Sequence, residues 1–406
     1  MVSSQPEPIK FPLPPSPVPY DTGPEMRALA ARCPVTHVEL PDGSTAWLVT
    51  GFSEVREVLI DQRYSRALVY ASDRPRQGLD YILAESLMGM DPPEHSRLRK
   101  LVASAFTEKR MQALRPEVTR IVDSLLDDMI AGPRPADLVR SFSLLLPSRV
   151  ICSLLGVPPG DIDTFHGWSN TLFADWSRSM DELAEAYLAI NGYMADLVAR
   201  KRQEPADDLI SVLIDARDSG DKLTEAELVR FCFGLLMAGH ETTANQLNMS
   251  FVALCHHPEE LDRLRADPGL IPVAVEELLR FVQMTGKGSI PPARITREEV
   301  RLGGVTIPAG ESVLTLSSIA NRDPVAFQDP NRLDVLREPK THVAFGAGTH
   351  HCLGAQLARM ELQEGFRGLL TRLPGLRMAV PLSAIEFREG HLLASMRELP
   401  VTWDDP

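Results

Sequence analysis

Hydrophobic positions recur with a helical period through the middle of the chain. Between residues 107 and 285, apolar residues return every three or four positions in segments such as PEVTRIVDSLLDDMI and DELAEAYLAINGYMADLVARKRQ. This spacing places apolar side chains on one face of an α-helix. We therefore predict that helices form the body of the molecule.

One helical run is much longer than the others. Thr224 and Glu227 have the spacing of a capping box, and the apolar pattern that follows them continues to Pro258. At the rise of an α-helix this run would be about 50 Å long, enough to cross a domain of this size. We expect it to be a long central helix.

The predicted central helix contains an unfavourable stretch, Gly239-His240-Glu241-Thr242-Thr243. Glycine costs about 1 kcal/mol in a helix interior, and a threonine hydroxyl can bond to the carbonyl four residues earlier and bend the helix. Either a neighbouring element packs against this irregularity, or a ligand lies against the backbone here. The pattern leaves both interpretations open.

Alternating patterns, which are typical of β-strands, are confined to the two ends of the chain. THVEL and TAWLV flank the turn sequence PDGS, which predicts a hairpin, and Ser53 is placed to cap a short helix after it. Strand signals return at residues 298–317, around the turn residues Gly303 and Gly304, and at residues 386–403. Strands at both ends with helices between them favour one mainly α domain with small β-sheets over a βαβ array.

Charge and hydropathy limit the classes of function. The 406 residues carry a formal net charge of −13, and a field of that sign repels nucleic acids and anionic membranes. A Pro-rich arm, about residues 1–25, is expected to wrap the surface irregularly, and it lacks the apolar run of a signal peptide. No later stretch reaches the ~18 apolar residues of a membrane span. We expect a cytoplasmic protein with no membrane or nucleic-acid partner.

Cys352 has different surroundings from the other four cysteines. The five are scattered without a Cys-x-x-Cys pair, so neither a disulfide framework nor a cysteine zinc site is predicted. Cys352 follows a glycine-rich turn and precedes a predicted helix in residues 345–354, FGAGTHHCLG. Unpaired N–H groups at a helix N-terminus favour an anion, and the thiolate is the form of cysteine that binds metals.

Two other interpretations of this segment fit less well. A phosphate-binding loop requires Lys and then Ser or Thr after its last glycine, and neither follows Gly354. A zinc site would need His350, His351 and Cys352 to turn toward one ion, which consecutive residues can hardly do. We therefore favour a thiolate ligand to another metal centre.

The segment resembles the haem-binding signature of the cytochrome P450 superfamily, F-G-x-G-x-[HR]-x-C-x-G. Phe345 begins the match, His350 occupies its basic position, Cys352 would be the iron ligand and Gly354 ends it. The resemblance implies the mainly α fold of that family, as a single domain over residues 1–406. It also implies a haem b, iron protoporphyrin IX, as cofactor.

A second motif, DPPEHSRLRK, begins at residue 91 and contains the family's H-x-x-x-R element. Its His95 and Arg99 are four residues apart and share one helix face, which suits the clamping of a carboxylate. The resemblance implies that both hold haem propionates. By the same resemblance, Arg294 and His350 would also reach propionates.

A third motif, AGHETT at residues 238–243, is similar to the family's oxygen-activating [AG]-G-x-[DE]-T. The resemblance implies that Ala238 and Gly239 leave space for O2 over the iron. It also implies that Thr242 routes protons there and that Glu241 relays them from solvent. His240 occupies a variable position of the motif, and we interpret it as a packing residue and not a ligand.

A fourth motif, ELLR, places Glu277 and Arg280 three residues apart on one helix face. In the family such a pair belongs to a buried ionic triad behind the thiolate loop, and we expect Arg332 to complete it. Loss of one partner would leave a buried charge unpaired. These residues are therefore interpreted as scaffold.

The resemblance implies a monooxygenase that inserts one oxygen atom of O2 into a bulky small molecule, by hydroxylation or epoxidation. The chain resembles actinobacterial members that tailor secondary metabolites such as polyketides, macrolides and peptides, which is an analogy at the level of the family. A haem-thiolate enzyme of another type, such as a phenol coupler or a dehydratase, would share nearly every motif. A non-catalytic haem protein is disfavoured because it would need neither Glu241 nor Thr242.

Separate redox partners are expected because the motifs occupy the chain almost to its end. By resemblance these partners are a ferredoxin and its NAD(P)H-dependent reductase. We hypothesise that an acidic ferredoxin docks near Cys352 on Arg97, Lys100 and Arg359.

Substrate contacts are expected from five regions. They are residues 70–90, residues 164–180, the long helix near Leu235, residues 283–293 and residues 392–396. Gln283 and Lys287 lie where the family usually presents apolar side chains, which leads to the hypothesis of a substrate with polar or anionic groups. A lysine that faces solvent in a loop is the simpler interpretation of Lys287.

Overall fold

Helices form most of the protein, as the sequence predicts. The structure is a computed structural model that describes residues 8–71, 83–84, 86–103, 106–172, 178–218, 223–286, 288–388, 391 and 393–405. Its helices are α1 (Pro24–Arg32), α2 (Phe52–Ile60), α3 (Ala67–Ala71), α4 (Glu94–Ala103), α5 (Glu108–Ala131), α6 (Leu145–Leu155), α7 (Ile162–Leu172), α8 (Met180–Gln203), α9 (Leu209–Asp218), α10 (Glu225–Cys255), α11 (Pro258–Ala266), α12 (Ile271–Phe281), α13 (Ser317–Ala320) and α14 (Ala355–Arg372).

The strands are short and lie toward the two ends of the chain, with one of two residues before α6. They are β1 (Ile9–Lys10), β2 (Val35–Glu39), β3 (Thr45–Val49), β4 (Tyr64–Ser65), β5 (Ala136–Asp137), β6 (Ala293–Thr296), β7 (Val300–Leu302), β8 (Val305–Ile307), β9 (Ser312–Thr315), β10 (Arg377–Met378) and β11 (Pro400–Thr402). The largest sheet has the order β1-β2-β3-β9-β6-β4, and the other two are β10-β11-β5 and β7-β8. A mainly α fold with small sheets is confirmed.

Both predicted turns join antiparallel strands. β2 and β3 pair over their full length, with Val35 opposite Val49. β7 and β8 pair around Gly303 and Gly304, whose φ angles are +53° and +84°. Two successive residues with positive φ give the turn whose twist matches that of the strands, and glycine adopts this conformation without strain.

Two local predictions were wrong because distant residues decide the structure there. The N-terminal arm is not irregular throughout, since Ile9 pairs with Val38 and extends the largest sheet. Helix α2 starts at Phe52, and Ser53 is inside it. The side chain of Asp323 accepts the Phe52 N–H at 2.8 Å and so satisfies the helix terminus, which no local sequence pattern reveals.

The helix α10 is the central helix that the sequence predicts. Thr224 and Glu227 form both bonds of the capping box, and the helix ends at Cys255. Its 31 residues span about 46 Å. No helix in the described ranges combines the length and the apolar character that crossing a membrane requires.

Two hydrophobic clusters meet along α10. Its N-terminal half, up to Met237, packs with residues of α4, α6, α8 and α9. Its C-terminal half, from Leu247, packs with residues of α5, α12 and α14. The unfavourable stretch at residues 239–243 therefore lies at the junction between the two clusters.

Candidate active site

The loop before Cys352 is shaped by glycines. Gly346 and Gly348 have φ angles of +70° and +68°. A Cβ on Gly348 would lie 2.7 Å from the carbonyl oxygen of Leu59 at the end of α2, so only glycine fits there. The Cys352 N–H donates to the Phe345 carbonyl oxygen at 2.9 Å and closes the loop.

The helix terminus behind Cys352 does not by itself make its side chain a thiolate. Solvent reaches Cys352, yet the protein around its sulfur excludes enough water that burial raises the pKa of the thiol. The N–H of Gly354, the N-cap of α14, and the charges of Arg99 and Arg359 lower that pKa by less. In the protein alone, burial is therefore the larger effect on this pKa. A coordinated metal ion deprotonates a thiol directly.

One face of α10 is open in a helix that is otherwise buried at its centre. Ala238 is exposed, and Leu235 and Thr242 are half-buried, whereas the flanking residues 240, 241 and 243–254 are buried. These three residues have the spacing of one helix face. A Cβ on Gly234, on the same side, would meet no atom within 4 Å. The open face therefore borders space that the described residues leave unfilled.

Gly239 faces a neighbouring helix and not the open face. A Cβ there would lie 3.0 Å from Cγ1 of Ile151 in α6. The absence of a side chain at Gly239 therefore allows close packing of α10 on α6, and its place in the oxygen site stays a prediction. His240 is buried, and its Nδ1 is 2.8 Å from the carbonyl oxygen of Leu236, which fits its interpretation as a packing residue.

Thr242 lies on the open face, and Glu241, the residue before it, is buried. The Thr242 hydroxyl donates to the Ala238 carbonyl oxygen at 2.9 Å. Glu241 is buried, and this burial raises the pKa of its carboxyl, while the charge of Arg388 and a hydrogen bond from Asn245 oppose the rise. Burial is the larger effect, so the carboxyl holds its proton more strongly than an exposed glutamate does.

Asn245 connects Glu241 to the C-terminal segment. Its Nδ2 donates to the Glu241 carbonyl oxygen at 2.9 Å, and its Oδ1 accepts the Ser395 hydroxyl at 3.1 Å. Residues 392–396 are one of the predicted substrate regions, of which residue 392 lies outside the described residues. Ser395 belongs to that predicted region, whereas Asn245 was missed because it belongs to no motif.

The structure brings the basic residues of two predicted motifs together. The rings of His95 and His350 have their centroids 4.3 Å apart, and the charges of His95 and Arg294 help burial to lower the pKa of His350 to about 3. Arg294 is buried and donates to the Tyr64 carbonyl oxygen at 3.3 Å. Arg99 donates to the carbonyl oxygen of His351, beside Cys352.

This basic cluster lacks an anion that matches its donors. Within the part of the chain that the structure describes, Nδ1 of His95 and Nη2 of Arg294 are buried without a hydrogen-bond partner. Buried donors without partners are costly, and on a cationic group more so. A group with carboxylates at this place would satisfy them, so the residues present fit a haem with its propionates directed here.

The ionic triad is present, but its third member differs from the prediction. Glu277 and Arg280 are both buried, with Nε and Oε2 at 2.7 Å. Arg337, and not Arg332, completes the triad, since its Nε donates to Glu277 at 3.1 Å. Arg332 is exposed, and only its carbonyl oxygen takes part, accepting from Arg280 at 3.4 Å.

Comparison with known proteins identifies the family. The Cytochrome P450 family model matches residues 162–268 and 270–373. A nocardicin C N-oxygenase from Nocardia uniformis subsp. tsuyamanensis is 46% identical over 388 residues, which cover 95% of this chain and 97% of that relative. The chain belongs to the cytochrome P450 family.

This cytochrome P450 is also similar to two proteins that are named as hydroxylases. A mycinamicin IV hydroxylase/epoxidase from Micromonospora griseorubida is 47% identical over 370 residues, 91% of this chain and 92% of that one. The crystal structure of LnmA, a cytochrome P450 hydroxylase of the leinamycin biosynthetic pathway of Streptomyces atroolivaceus S-140, superposes with a TM-score of 0.90 at 43% identity. It covers 97% of this chain and 100% of that one.

Membership of the family fixes the general chemistry of the site. The chain is a cytochrome P450 monooxygenase, and the family implies a haem iron cofactor and the use of O2. Members generally act on small molecules and receive electrons from redox partners. The roles of individual residues in this P450 are a matter for proposal.

The predicted docking residues of this P450 differ in how their charges are engaged. Arg97 pairs with Glu227, and Arg359 pairs with Glu276 at 2.6 Å. Lys100 is exposed on the last turn of α4.

The hypothesis of an anionic substrate depends on Gln283 and Lys287. Lys287 lies outside the described residues. Gln283 is half-buried, and its main-chain N–H donates to the Tyr20 carbonyl oxygen at 3.0 Å.

Proposed function

We propose that this cytochrome P450 inserts one oxygen atom of O2 into a bulky secondary metabolite, by hydroxylation or epoxidation. The observation that carries the proposal is the open face of α10, where Ala238 and Thr242 are accessible beside the buried carboxyl of Glu241. An acid next to an accessible hydroxyl, on a face otherwise lined by apolar residues, suits controlled proton delivery. A protein that only binds a haem ligand needs neither group.

Cys352 would bind the iron of a haem b, iron protoporphyrin IX. His95, Arg99, Arg294 and His350 would hold its propionates. The buried unpaired donors of His95 and Arg294 support this arrangement, and so does the bond from Arg99 to the residue next to Cys352. When bound, the haem activates O2, and the protein supplies position, exclusion of water and protons.

Phe345 and Gly354 would hold the cysteine loop in shape. The Phe345 ring lies under the Arg359 guanidinium, with the guanidinium carbon 4.6 Å from the ring centroid. Gly354 precedes α14 as its N-cap. Both residues therefore connect Cys352 to the helix behind it.

Thr242 and Glu241 would share the movement of protons. The Thr242 hydroxyl hydrogen is engaged by the Ala238 carbonyl oxygen, so the hydroxyl oxygen can accept a further hydrogen bond on the open side. The raised pKa of Glu241 suits a carboxyl that has to hold a proton before it passes the proton on. Ala238 would leave room for O2 because its side chain is a single methyl group.

The proposed substrate class follows from the relatives. By name they act on nocardicin C and on mycinamicin IV, and LnmA belongs to the leinamycin pathway. These are secondary metabolites, and this chain is 43 to 47% identical to the three proteins. A macrolide, polyketide or peptide is therefore the proposed class, and a cytoplasmic location stays a prediction.

The proposed electron donors are a ferredoxin and its NAD(P)H-dependent reductase. Since Arg97 and Arg359 are engaged with glutamates, Lys100 is the first candidate for contact with an acidic partner. Its reversal, Lys100→Glu, should slow electron transfer at low salt, because attraction between exposed charges is screened as salt rises. Lys10→Glu, at an exposed site on β1, is the matched control.

Oxygen labelling tests the proposed reaction. The protein, a surrogate ferredoxin and reductase and a panel of macrolides and peptides are incubated under isotopically labelled O2. A product that carries one labelled oxygen atom supports the proposal. A coupled or dehydrated product without a labelled oxygen atom would contradict monooxygenation and favour phenol coupling or dehydration.

A further inference from the structure

Arg66 is a basic residue of the propionate region that no motif marks. It follows β4 and precedes α3, and its main-chain N–H donates to Asp91 Oδ1 at 3.0 Å. Asp91 Oδ2 accepts the Ser65 hydroxyl, the Ala67 N–H at 3.3 Å and the Arg297 Nη2 at 2.7 Å. The nearest carboxylate is therefore occupied by other groups.

The guanidinium of Arg66 has an open donor within the part of the chain that the structure describes. Its Nε is buried and has no hydrogen-bond partner among the described residues. Burial lowers the pKa of Arg66, and the charge of Asp91 opposes this effect. Asp91 therefore attracts the positive charge of Arg66 but accepts no hydrogen bond from its Nε. Among the described residues, this buried donor on a cationic group has no acceptor.

Arg66 lies close to Arg294, because Ser65 pairs with Ile295 across β4 and β6 and the Arg294 side chain donates to the Tyr64 carbonyl oxygen. Its charge helps burial to lower the pKa of Arg294 to about 10. Among the described residues, buried nitrogens without a hydrogen-bond partner thus come from three separate parts of the chain, on Arg66, His95 and Arg294. Burying positive charges near one another without hydrogen-bond acceptors is unfavourable. An anionic ligand bound to this basic cluster would remove that cost.

We propose that Arg66 is a further binding residue for a haem propionate and adds a positive charge to the propionate pocket. The inference rests on the proposed function, in which the basic cluster holds the propionates. Arg66 would donate through its guanidinium Nε, for which the described residues supply no acceptor. Its charge should favour the reduced haem, because the oxidised haem carries one more positive charge.

Haem affinity and reduction potential test the inference without reference to turnover. Arg66→Leu should release haem to apomyoglobin about tenfold faster, equivalent to about 1.4 kcal/mol, and should lower the midpoint potential. Arg66→Gln should lower the midpoint potential in the same way. If Arg66→Leu does not fold, Arg66→Gln is measured in its place. Arg66→Lys, which retains the charge, should keep most of the potential.

Arg63→Leu is the matched control. Arg63 is three residues away and half-exposed, and its Nε donates to Asp61 at 2.8 Å, so its loss should change neither haem release nor potential. The inference is overturned if the neutral Arg66 variants behave like Arg63→Leu, or if they change thermal stability alone.

The spectrum of the reduced wild-type protein with CO is recorded first. A spectrum without thiolate character would refute the proposed function itself, whereas a thiolate spectrum with unaffected Arg66 variants would refute only this inference.

Discussion

Arg337 donates from its Nε to the buried carboxylate of Glu277 at 3.1 Å, although Arg332 precedes it in the same loop. The two arginines give a sharp comparison, because only one of them has its side chain in the triad. Arg337→Leu should destabilise the protein by about 1.5–3 kcal/mol, since Glu277 keeps Arg280 but loses its second charged hydrogen-bond partner. Arg332→Leu removes an exposed side chain and should stay within about 0.5 kcal/mol. Denaturant unfolding measures the free energy of unfolding of both variants. Equal losses of stability would show that Arg337 does not belong to the triad.

The two glycines of α10 should respond in opposite directions to alanine. Gly234→Ala adds a Cβ in open space and should stabilise the helix by up to about 1 kcal/mol. Gly239→Ala adds a Cβ at 3.0 Å from Ile151 and should destabilise by about 1 kcal/mol or more, because it overpacks the contact with α6. Thermal unfolding measures both. Ile151→Val in the Gly239→Ala background should restore part of the loss, and no restoration would exclude Ile151 as the cause.

The buried carboxyl of Glu361 should make stability depend on pH. Glu361 is 1% exposed, and burial raises its pKa to about 8, which a hydrogen bond with Thr243 only partly offsets. The folded state keeps a proton that the unfolded state loses, so the contribution of Glu361 to stability is fully present below about pH 4.5 and falls by about 1.4 kcal/mol per pH unit up to about pH 8.

Glu361→Gln should flatten this part of the stability profile and make the variant more stable than the wild type at the alkaline end. Glu185→Gln, at an exposed position of α8, is the control and should leave the profile unchanged. Denaturant midpoints across this pH range measure the effect. An unchanged slope in Glu361→Gln would mean that another group titrates.

Glu241 should affect the rate and not the binding of substrate. Glu241→Gln keeps the size of the side chain and its hydrogen bonds with Asn245 but cannot exchange a proton. We expect kcat to fall by about 10²–10⁴, the usual contribution of a general acid or base, and more hydrogen peroxide to escape to solvent. The substrate-induced spectral shift and its apparent Kd should not change. Glu241→Asp should recover part of kcat, and a normal kcat in the Gln variant would exclude the proton role.

The sequence predicts those features that depend on neighbours in the chain. The capping box of Thr224 and Glu227, the turn at Gly303 and the pair of Glu277 with Arg280 are all local, and all three are confirmed. The meeting of His95 and His350 was predicted only through the order of motifs, since residues of separate elements have no periodic relation.

The features that were missed depend on contacts between distant segments. Asp323 caps α2 in place of Ser53, and the direction of Gly239 is set by the packing of α10 on α6. Arg66 carries no motif, and only the folded chain shows that its Nε is buried without a partner. Hydrophobic period and capping signals carry no information on such contacts.

The spectrum of the reduced protein with CO tests the central claim most directly, which is that Cys352 is the iron ligand. The wild-type protein should show the red-shifted Soret band of a thiolate-bound haem, and Cys352→His should show the histidine type instead. Cys152→Ser, at a buried cysteine of α6, should keep the thiolate band. A histidine-type spectrum in the wild type, or a thiolate band that persists in Cys352→His, would contradict the account.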